Sequence, residues 1–224
     1  GSPQQVSAAL VRQDQARLQR GGGGVVGEGV VEAVEARKRE ALVMIALYAL
    51  PFEAPALDGE SGTREIHNNT RRYIDADAIA NHSVCASVAK AFQSDATVAL
   101  IERETGAQLD GTYLRLEYAQ DVDGFWLRPH TDLGVKKFTL LYYLGPDSAE
   151  DLGTDIYENA DSWSHRAPFI PGQALVFVPS DNTWHGFEPR RIGGVRKSLI
   201  LNYVTDEWRA REQLAFLDRP VRGR

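Results

Sequence analysis

Short strand-like runs, separated by glycine and proline turns, occupy residues 112–204 and restrict the fold more than any other feature of the chain. Tyr113–Tyr118 alternates apolar and charged residues, and Phe138–Leu144 is almost continuously apolar and ends at a Gly-Pro pair. Further runs follow at Asp155–Tyr157, Ala174–Val178 and Ser198–Val204. Many short strands at close spacing are typical of a sandwich or barrel. The alternation in the first run predicts a half-buried strand.

Helical patterns precede and follow this segment. Residues 32–48 and 75–106 have helix-forming compositions, and Thr205–Leu217 has the pattern of a C-terminal helix. We therefore predict a mainly β protein with flanking helices (α+β) that forms one structural domain. It would have a flexible arm at residues 1–24, which end in four glycines, a helical region at 25–111 and a β core with its helix at 112–224.

Composition limits the partners of the chain. Its 224 residues carry a net charge of −6, and a negative chain is a poor nucleic-acid binder because such binding needs a basic surface. The apolar stretch Ala41–Phe52 is too short for a bilayer, which takes about 20 residues, so no membrane partner is expected. The single cysteine, Cys85, rules out an internal disulfide framework and favours a cytoplasmic location. The predicted last helix, with Trp208, Leu214 and Leu217, could cover the β core or form a homodimer with a second subunit.

An ordered set of polar residues within the β segment carries the chemical signal. His130 and Asp132 lie two positions apart, so in an extended segment their side chains share one face. With His185 from a distant run they form two imidazoles and one carboxylate, the donor set of non-haem Fe(II) oxygenases. Arg196 and Ser198 follow on the next run, where a cation and a hydroxyl could hold the far carboxylate of 2-oxoglutarate.

These motifs resemble the catalytic core of the Fe(II)/2-oxoglutarate-dependent oxygenase superfamily, in particular its prolyl 4-hydroxylase-like branch. The resemblance covers about residues 113–203 and is carried by Tyr118, Pro129–Asp132, Leu141–Leu144, Gly153–Asp155, Ser180–Gly186 and Gly194–Ser198. It implies a double-stranded β-helix, a jelly-roll or cupin-like core, with His130, Asp132 and His185 as iron ligands.

The resemblance also implies cosubstrate contacts. Arg196 matches the residue that pairs with the distal carboxylate of 2-oxoglutarate, and Tyr142 matches a tyrosine that donates to the same group. Ser198 would be auxiliary, and Tyr118 could approach the metal-proximal end. The Gly-Gly-Glu-Thr of many relatives is Leu152–Asp155 here, which leaves the role of that strand open.

The implied activity is hydroxylation with Fe(II) as the metal, 2-oxoglutarate and O2 as cosubstrates, ascorbate as an optional reductant, and succinate and CO2 as products. The substrate would be a small molecule, sugar-like or amino-acid-like. An anionic group on it could meet arginines near the motifs, and two tryptophans could form a stacking wall. The residues concerned are Arg64, Arg71, Arg72, Arg115, Arg128, Trp126 and Trp184.

Two alternatives stay open. A jelly-roll module that binds a ligand or glycan without catalysis would use the tryptophans but would have no use for the complete His/Asp/His and Arg196 set. A zinc hydrolase could use the same three residues, but it would need a general base and would leave Arg196 and Ser198 without a role. The remaining histidines, His67, His82 and His165, belong to no ligand pair, and Cys85 is expected to be a buried, inert thiol.

Overall fold

A computed structural model describes residues 40–52, 71–145 and 149–223. The predicted arm at residues 1–24, Arg64 and His67 lie outside these ranges. The helices are α1 (residues 40–48), α2 (Ala76–Asn81), α3 (Ser83–Gln93) and α4 (Asp95–Thr105). The strands are β1 (Arg72–Tyr73), β2 (Tyr113–Asp121), β3 (Leu127–His130), β4 (Lys136–Leu144), β5 (Asp155–Asn159), β6 (Ser162–Arg166), β7 (Ala174–Phe177), β8 (His185–Phe187) and β9 (Arg196–Val204).

The strands form two antiparallel sheets. The five-stranded sheet has the order β1-β2-β9-β4-β7, and the four-stranded sheet has the order β3-β8-β5-β6. From β2 to β9 the chain crosses between the sheets at every connection except the β5–β6 hairpin. This winding of eight strands through two sheets is that of a double-stranded β-helix. The predicted fold class, mainly antiparallel β with a few helices, is therefore confirmed.

The helices cover one face of the five-stranded sheet. Residues 75–106, predicted as one helical region, form three helices that break at His82 and Ser94. Ser94 caps α4 by accepting a hydrogen bond from the Thr97 amide, and Gly106 ends it with a positive φ of 74°. The main apolar cluster joins these helices to β2, β4 and β9 through side chains such as Val88 and Leu116. The opposite face of the sheet is left for the functional site.

Contrary to the prediction, the alternation of apolar and charged residues in β2 does not separate a buried face from a solvent-exposed one. Its charged residues do not face solvent: Arg115 is 2% exposed and Glu117 is 5% exposed. Leu114 and Leu116 pack against the helices, whereas the charged side chains turn inward and pair with one another. The prediction of a half-buried strand was wrong because both faces of the sheet are covered, one by helices and one by the second sheet.

The predicted helix at 205–217 was also wrong. The described residues after β9 contain a single 3₁₀ turn, Arg211–Gln213. Apart from short turns, the backbone of this tail bonds to other segments: Ala215 N donates to Leu114 O at 3.0 Å, and Val221 N donates to Thr112 O at 2.7 Å. The short strand β1 pairs only with residues 117–118 of β2, so the start of β2 has an open edge that the tail occupies.

In the described part of the chain, no single helix is long and apolar enough to span a bilayer. Helices α3 and α4 meet the criteria of length and hydropathy only when taken together, across a bend of 56°.

Candidate metal and cosubstrate site

The structure brings together the three residues predicted as metal ligands. His130 ends β3, Asp132 follows two residues later, and His185 begins β8. The two histidines are register partners across the β3–β8 pair, with ring centroids 4.4 Å apart. One ligand atom from each of the three residues lies within 4.8 Å of the others. Their ligation of a metal remains a prediction, but their convergence is a property of the fold.

A glycine beside His185 permits this close pairing of β8 with β3. A Cβ atom on Gly186 would lie 2.8 Å from the Leu127 carbonyl oxygen and 3.2 Å from the backbone of Arg128. Any side chain at this position would push the strands apart. Gly186 therefore sets the separation of the two imidazoles.

Both imidazoles are oriented by backbone carbonyls. Nδ1 of His130 lies 2.8 Å from Arg128 O, and Nδ1 of His185 lies 2.9 Å from Thr183 O. A carbonyl oxygen can only accept a hydrogen bond, so each Nδ1 carries a proton, and Nε2 is the nitrogen that can offer a lone pair to a metal. This is the usual arrangement behind a metal-binding histidine, whose other nitrogen donates to a neighbouring group.

Asp132 is held as an anion. Lys136 Nζ donates to Oδ1 at 2.6 Å and Thr139 Oγ1 donates to Oδ2 at 2.7 Å. Burial alone would raise the pKa of Asp132, but the charges of Lys136 and His185 and these two hydrogen bonds together hold that pKa well below its usual range. Asp132 is therefore ionised at neutral pH, as a metal ligand must be.

These three residues line a cavity between the two sheets. Its empty volume is about 870 Å³, counting the part that is open to solvent. Of the described residues that line it, four are basic (Arg71, Arg115, Lys136 and Arg196) and three are acidic (Glu117, Asp121 and Asp132). Apolar side chains such as Leu141 and Phe187 form the rest of the wall. The cavity is thus a polar, positively charged interior enclosed by apolar packing.

Arg196 lies in this wall and is 6% exposed. It is the register partner of Asp121 across β2 and β9, and its Nη1 lies 2.5 Å from Asp121 Oδ2. Its Nε donates to Leu152 O at 2.6 Å, and the ring centroid of Phe187 lies 4.9 Å from its guanidinium carbon. Arg71 also pairs with Asp121, through Nη1 at 2.6 Å. Two guanidiniums therefore converge on one carboxylate, a contact that the sequence did not indicate.

Ser198 points in the same direction as Arg196, because the two residues are two positions apart on β9. It is fully buried, and its Oγ has no hydrogen-bond partner among the residues described. A buried hydroxyl without a hydrogen-bond partner is energetically unfavourable. Its auxiliary contact with the cosubstrate stays a prediction.

Tyr118 and Tyr142 lie on the other face of the sheet, so the sequence-based assignment of both to the cosubstrate was wrong. The Tyr118 hydroxyl donates to Leu47 O at 2.8 Å, and Tyr142 packs against the helix-facing apolar cluster. Burial raises the pKa of Tyr142 to about 12. In β4 Thr139 and Leu141 face the cavity, as does Lys136 at the start of the strand. The parity of Thr139 and Leu141 turns Tyr143 inward.

The sequence analysis missed Tyr143 and Thr154. The Tyr143 hydroxyl lies 3.1 Å from Thr154 Oγ1, and Thr154 lines the cavity. The Arg196 guanidinium carbon lies 5.9 Å from the centre of the Tyr143 ring. Strand parity could have distinguished Tyr143 from Tyr142. Tyr143 lies four positions after Thr139, the residue that bonds Asp132, and so shares its face of β4, whereas Tyr142 lies on the other face.

The other predicted residues divide between the cavity and the surface. Arg71 and Arg115 line the cavity, whereas Arg72 and Arg128 are exposed, the latter 5.6 Å from the centre of the Trp126 ring. Trp126 lines a separate outer cleft with Trp163, and Trp184 lines neither cavity. His165 is exposed on β6 rather than in a loop, and His82 joins α2 to α3. Cys85 is buried, and burial raises its pKa to about 11, as expected of an inert thiol.

No protein-family profile matches the chain, and no curated protein is significantly similar to it. Similar solved structures include a Pseudomonas putida prolyl-4-hydroxylase, with 19% identity, a TM-score of 0.48, and coverage of 78% of this chain and 84% of the other. The prolyl hydroxylase from Trichoplax adhaerens, in complex with a hypoxia inducible factor peptide fragment, has 20% identity, a TM-score of 0.45, and coverage of 79% and 81%.

HygX from Streptomyces hygroscopicus, with nickel and 2-oxoglutarate bound, has 16% identity, a TM-score of 0.42, and coverage of 82% and 80%. Likenesses this distant do not assign an activity.

Proposed function

We propose that the chain is a non-haem Fe(II)- and 2-oxoglutarate-dependent dioxygenase that hydroxylates a small molecule. The observation that carries the proposal is the convergence of His130, Asp132 and His185 within 4.8 Å, in a cavity whose wall also contains Arg196. Two neutral imidazoles and one carboxylate are the donor set of the facial iron site.

The residues fit an Fe(II) ion. The carbonyls of Arg128 and Thr183 fix both histidine tautomers, so that Nε2 is the donor atom of each. Asp132 is ionised and brings one negative charge. Three protein ligands leave further coordination positions for exogenous ligands. When bound, the iron would supply oxidation of 2-oxoglutarate by O2 to succinate and CO2, coupled to hydroxylation of a substrate C–H bond.

The residues also fit a dicarboxylate. Arg196 offers a guanidinium in a buried wall, where a charge-assisted hydrogen bond is stronger than in water. Ser198 Oγ and the hydroxyl pair of Tyr143 and Thr154 lie on the same side of the sheet and offer further donors. In this proposal, Arg196 binds the distal carboxylate, the hydroxyls fix its direction, and Phe187 excludes water from it.

In this proposal the substrate is a small sugar-like or amino-acid-like molecule that carries an anionic group. Lys136 and Arg115 line it together with Trp208 and Leu133, and Leu133 is 46% exposed. The Arg115 guanidinium carbon lies 4.8 Å from the ring centre of Tyr73 and 4.9 Å from that of Trp208. Cations beside aromatic rings suit a carboxylate or phosphate on a small organic body.

The zinc-hydrolase alternative has less support. A hydrolase would need a carboxylate that can accept a proton from water beside the metal. Apart from Asp132, the described acidic residues of the cavity are Glu117, which pairs with Arg71 and Arg115, and Asp121, which pairs with Arg71 and Arg196. Paired with two cations each, these carboxylates are poor bases.

An anaerobic titration of the metal-free protein with Fe(II) and 2-oxoglutarate tests the proposal. We expect a weak visible charge-transfer band that requires both additions and is absent in His130→Ala. In Arg196→Met the band should need a much higher concentration of 2-oxoglutarate. His165→Ala, which removes an exposed histidine of β6 that does not line the cavity, is the matched control and should behave as the wild type.

No band from a folded protein would contradict the proposal. Zinc binding without the band would then favour the hydrolase, and the absence of any metal binding would favour a binding module. If the band forms, succinate production that depends on O2 becomes the assay for candidate substrates.

A further inference from the structure

Lys136 is directed into the cavity by an irregularity in its strand. Register partners along β4 and β9 shift between Lys136 and Phe138. Phe138 belongs to the helix-facing cluster, so regular alternation would place Lys136 on that face as well. Instead Lys136 lines the cavity, with its side chain 15% exposed. Bulges beside functional sites commonly redirect one side chain in this way.

The redirected ammonium lies against a predicted metal ligand. Lys136 Nζ is 2.6 Å from Asp132 Oδ1, while Thr139 bonds the other oxygen of the same carboxylate. Lys137, the next residue, instead donates to Gly134 O at 3.2 Å. Lys136 is therefore an ion-pair partner of Asp132, whose negative charge a divalent cation at the proposed site would also need.

This placement opposes metal binding. A divalent ion on Asp132 would share one carboxylate with an ammonium only a few ångströms away, and like charges repel strongly where water is limited. Arg71, Arg115 and Arg196 already line the same cavity. A dianion such as 2-oxoglutarate, bound beside the metal, would offset part of this positive charge and lower the repulsion.

We propose that Lys136 weakens metal binding in the absence of a dicarboxylate and so couples retention of the metal to binding of 2-oxoglutarate. The inference rests on the metal site of the proposed function. Coupling of this kind is reciprocal: the factor by which 2-oxoglutarate tightens metal binding equals the factor by which the metal tightens 2-oxoglutarate binding. Lys136 is thus a positioning residue whose charge sets that factor.

Co(II) binding, measured by calorimetry with and without 2-oxoglutarate, tests this inference without any assay of activity. In Lys136→Met, which keeps the length of the side chain and removes its charge, Co(II) alone should bind about tenfold tighter or more than in the wild type. The tightening by 2-oxoglutarate should be correspondingly smaller. Lys137→Met removes a neighbouring charge that does not contact Asp132, so it should match the wild type in both measurements.

Two further variants distinguish an effect of the Lys136 charge from an effect of misfolding. Lys136→Gln is a second neutral substitution and should behave as Lys136→Met does. Lys136→Arg keeps the charge and should keep both the weak Co(II) binding and the coupling factor. Equal or weaker Co(II) binding in the neutral variants would overturn the inference while leaving the metal site intact. Failure of the wild-type protein to bind Co(II) at all would overturn the proposed function and the inference with it.

Discussion

The two faces of the five-stranded sheet are built from the same strands but by different physical means. On the helix face, Leu116 and its neighbours are buried among apolar side chains from α1 to α4. On the cavity face, a chain of ion pairs runs from Arg115 through Glu117, Arg71 and Asp121 to Arg196. The first face gains stability by removing apolar area from water. The second holds charges whose burial is costly unless every one is paired.

The contrast between apolar packing and buried ion pairs marks the cavity face as the candidate functional face of the sheet. An apolar filling of similar volume often stabilises a protein as well as buried ion pairs do, or better. Five paired charges beside three convergent metal-ligand candidates therefore indicate a requirement other than stability. A cavity of fixed cationic groups can bind and orient an anion, which an apolar core cannot do. The cavity face is thus the selective part of the sheet, and the helix face is its support.

Breaking the ion-pair chain should have the largest effect on the folded state. Glu117→Gln removes a carboxylate that accepts from Arg71 at 3.1 Å and from Arg115 at 2.9 Å, and leaves two buried guanidiniums without it. We expect a loss of about 3–5 kcal/mol in the free energy of unfolding, because an uncompensated buried charge is destabilising. Urea denaturation followed by circular dichroism measures it.

Leu116→Ala on the helix face is the matched comparison. Leu116, the sequence neighbour of Glu117, is fully buried. Its truncation should lower the free energy of unfolding by about 2–5 kcal/mol, because apolar burial is lost and a cavity is left. The two losses should differ in salt dependence, because only the first is electrostatic. If Glu117→Gln lowered the free energy of unfolding no more than a substitution at the protein surface does, the ion-pair chain would not contribute to the stability of the cavity face.

Acid should weaken the cavity face while leaving the helix face unchanged. The pKa of Asp132 is lower in the folded protein than in an unfolded chain, despite burial, because of Lys136, His185 and Thr139. Its contribution to stability is therefore fully present above about pH 4, the ordinary carboxyl range, and is lost as the pH falls through the folded-state value. In unfolding measured from pH 6 to pH 3, the destabilisation by Asp132→Asn should shrink toward the acid end.

The helix-face variant supplies the reference for that titration. Leu116→Ala changes no titratable group, so its destabilisation should stay constant over the same pH range. A destabilisation by Asp132→Asn that also stayed constant would mean that the carboxylate has the same pKa in the folded and unfolded chains, and the argument for a permanently ionised ligand would fail.

The strand sequence predicted the architecture because strand periodicity and turn residues are local signals. The runs around Phe138–Leu144 and Ser198–Val204 became β4 and β9. Side-chain alternation was sufficient to place His130 and Asp132 on one face. The convergence of His185 with them was predicted from the ordered set of motifs and from the family resemblance, and the structure shows it.

The wrong predictions all concern what each segment packs against. That depends on parts of the chain distant in sequence, so it cannot be read from the residues of the segment itself. Alternation in β2 defines two faces but does not state which of them is solvated. Choosing Tyr142 over Tyr143 assigned the wrong face of β4, and the shift at Lys136 cannot be read from the residues of β4 alone. The tail after Val204 has a helical composition, but the open edge of β2 offers its backbone better partners.

Replacing each of the two adjacent tyrosines of β4 by phenylalanine should have the smallest effect. The pair tests most directly which side chains of β4 face the cavity and which face the helices. Tyr143→Phe removes a hydroxyl that lies 3.1 Å from Thr154 Oγ1 on the cavity side, and we expect the dissociation constant of 2-oxoglutarate to rise about fivefold, as for one lost hydrogen bond. Tyr142→Phe removes the same atom from the helix side and should leave that constant unchanged. The measurement is a titration of 2-oxoglutarate into the Fe(II)-loaded protein, followed by the visible band. Weaker binding in Tyr142→Phe alone would mean that β4 presents its other face to the cavity, and the assignment of Thr139, Leu141 and Tyr143 to the interior would have to be reversed.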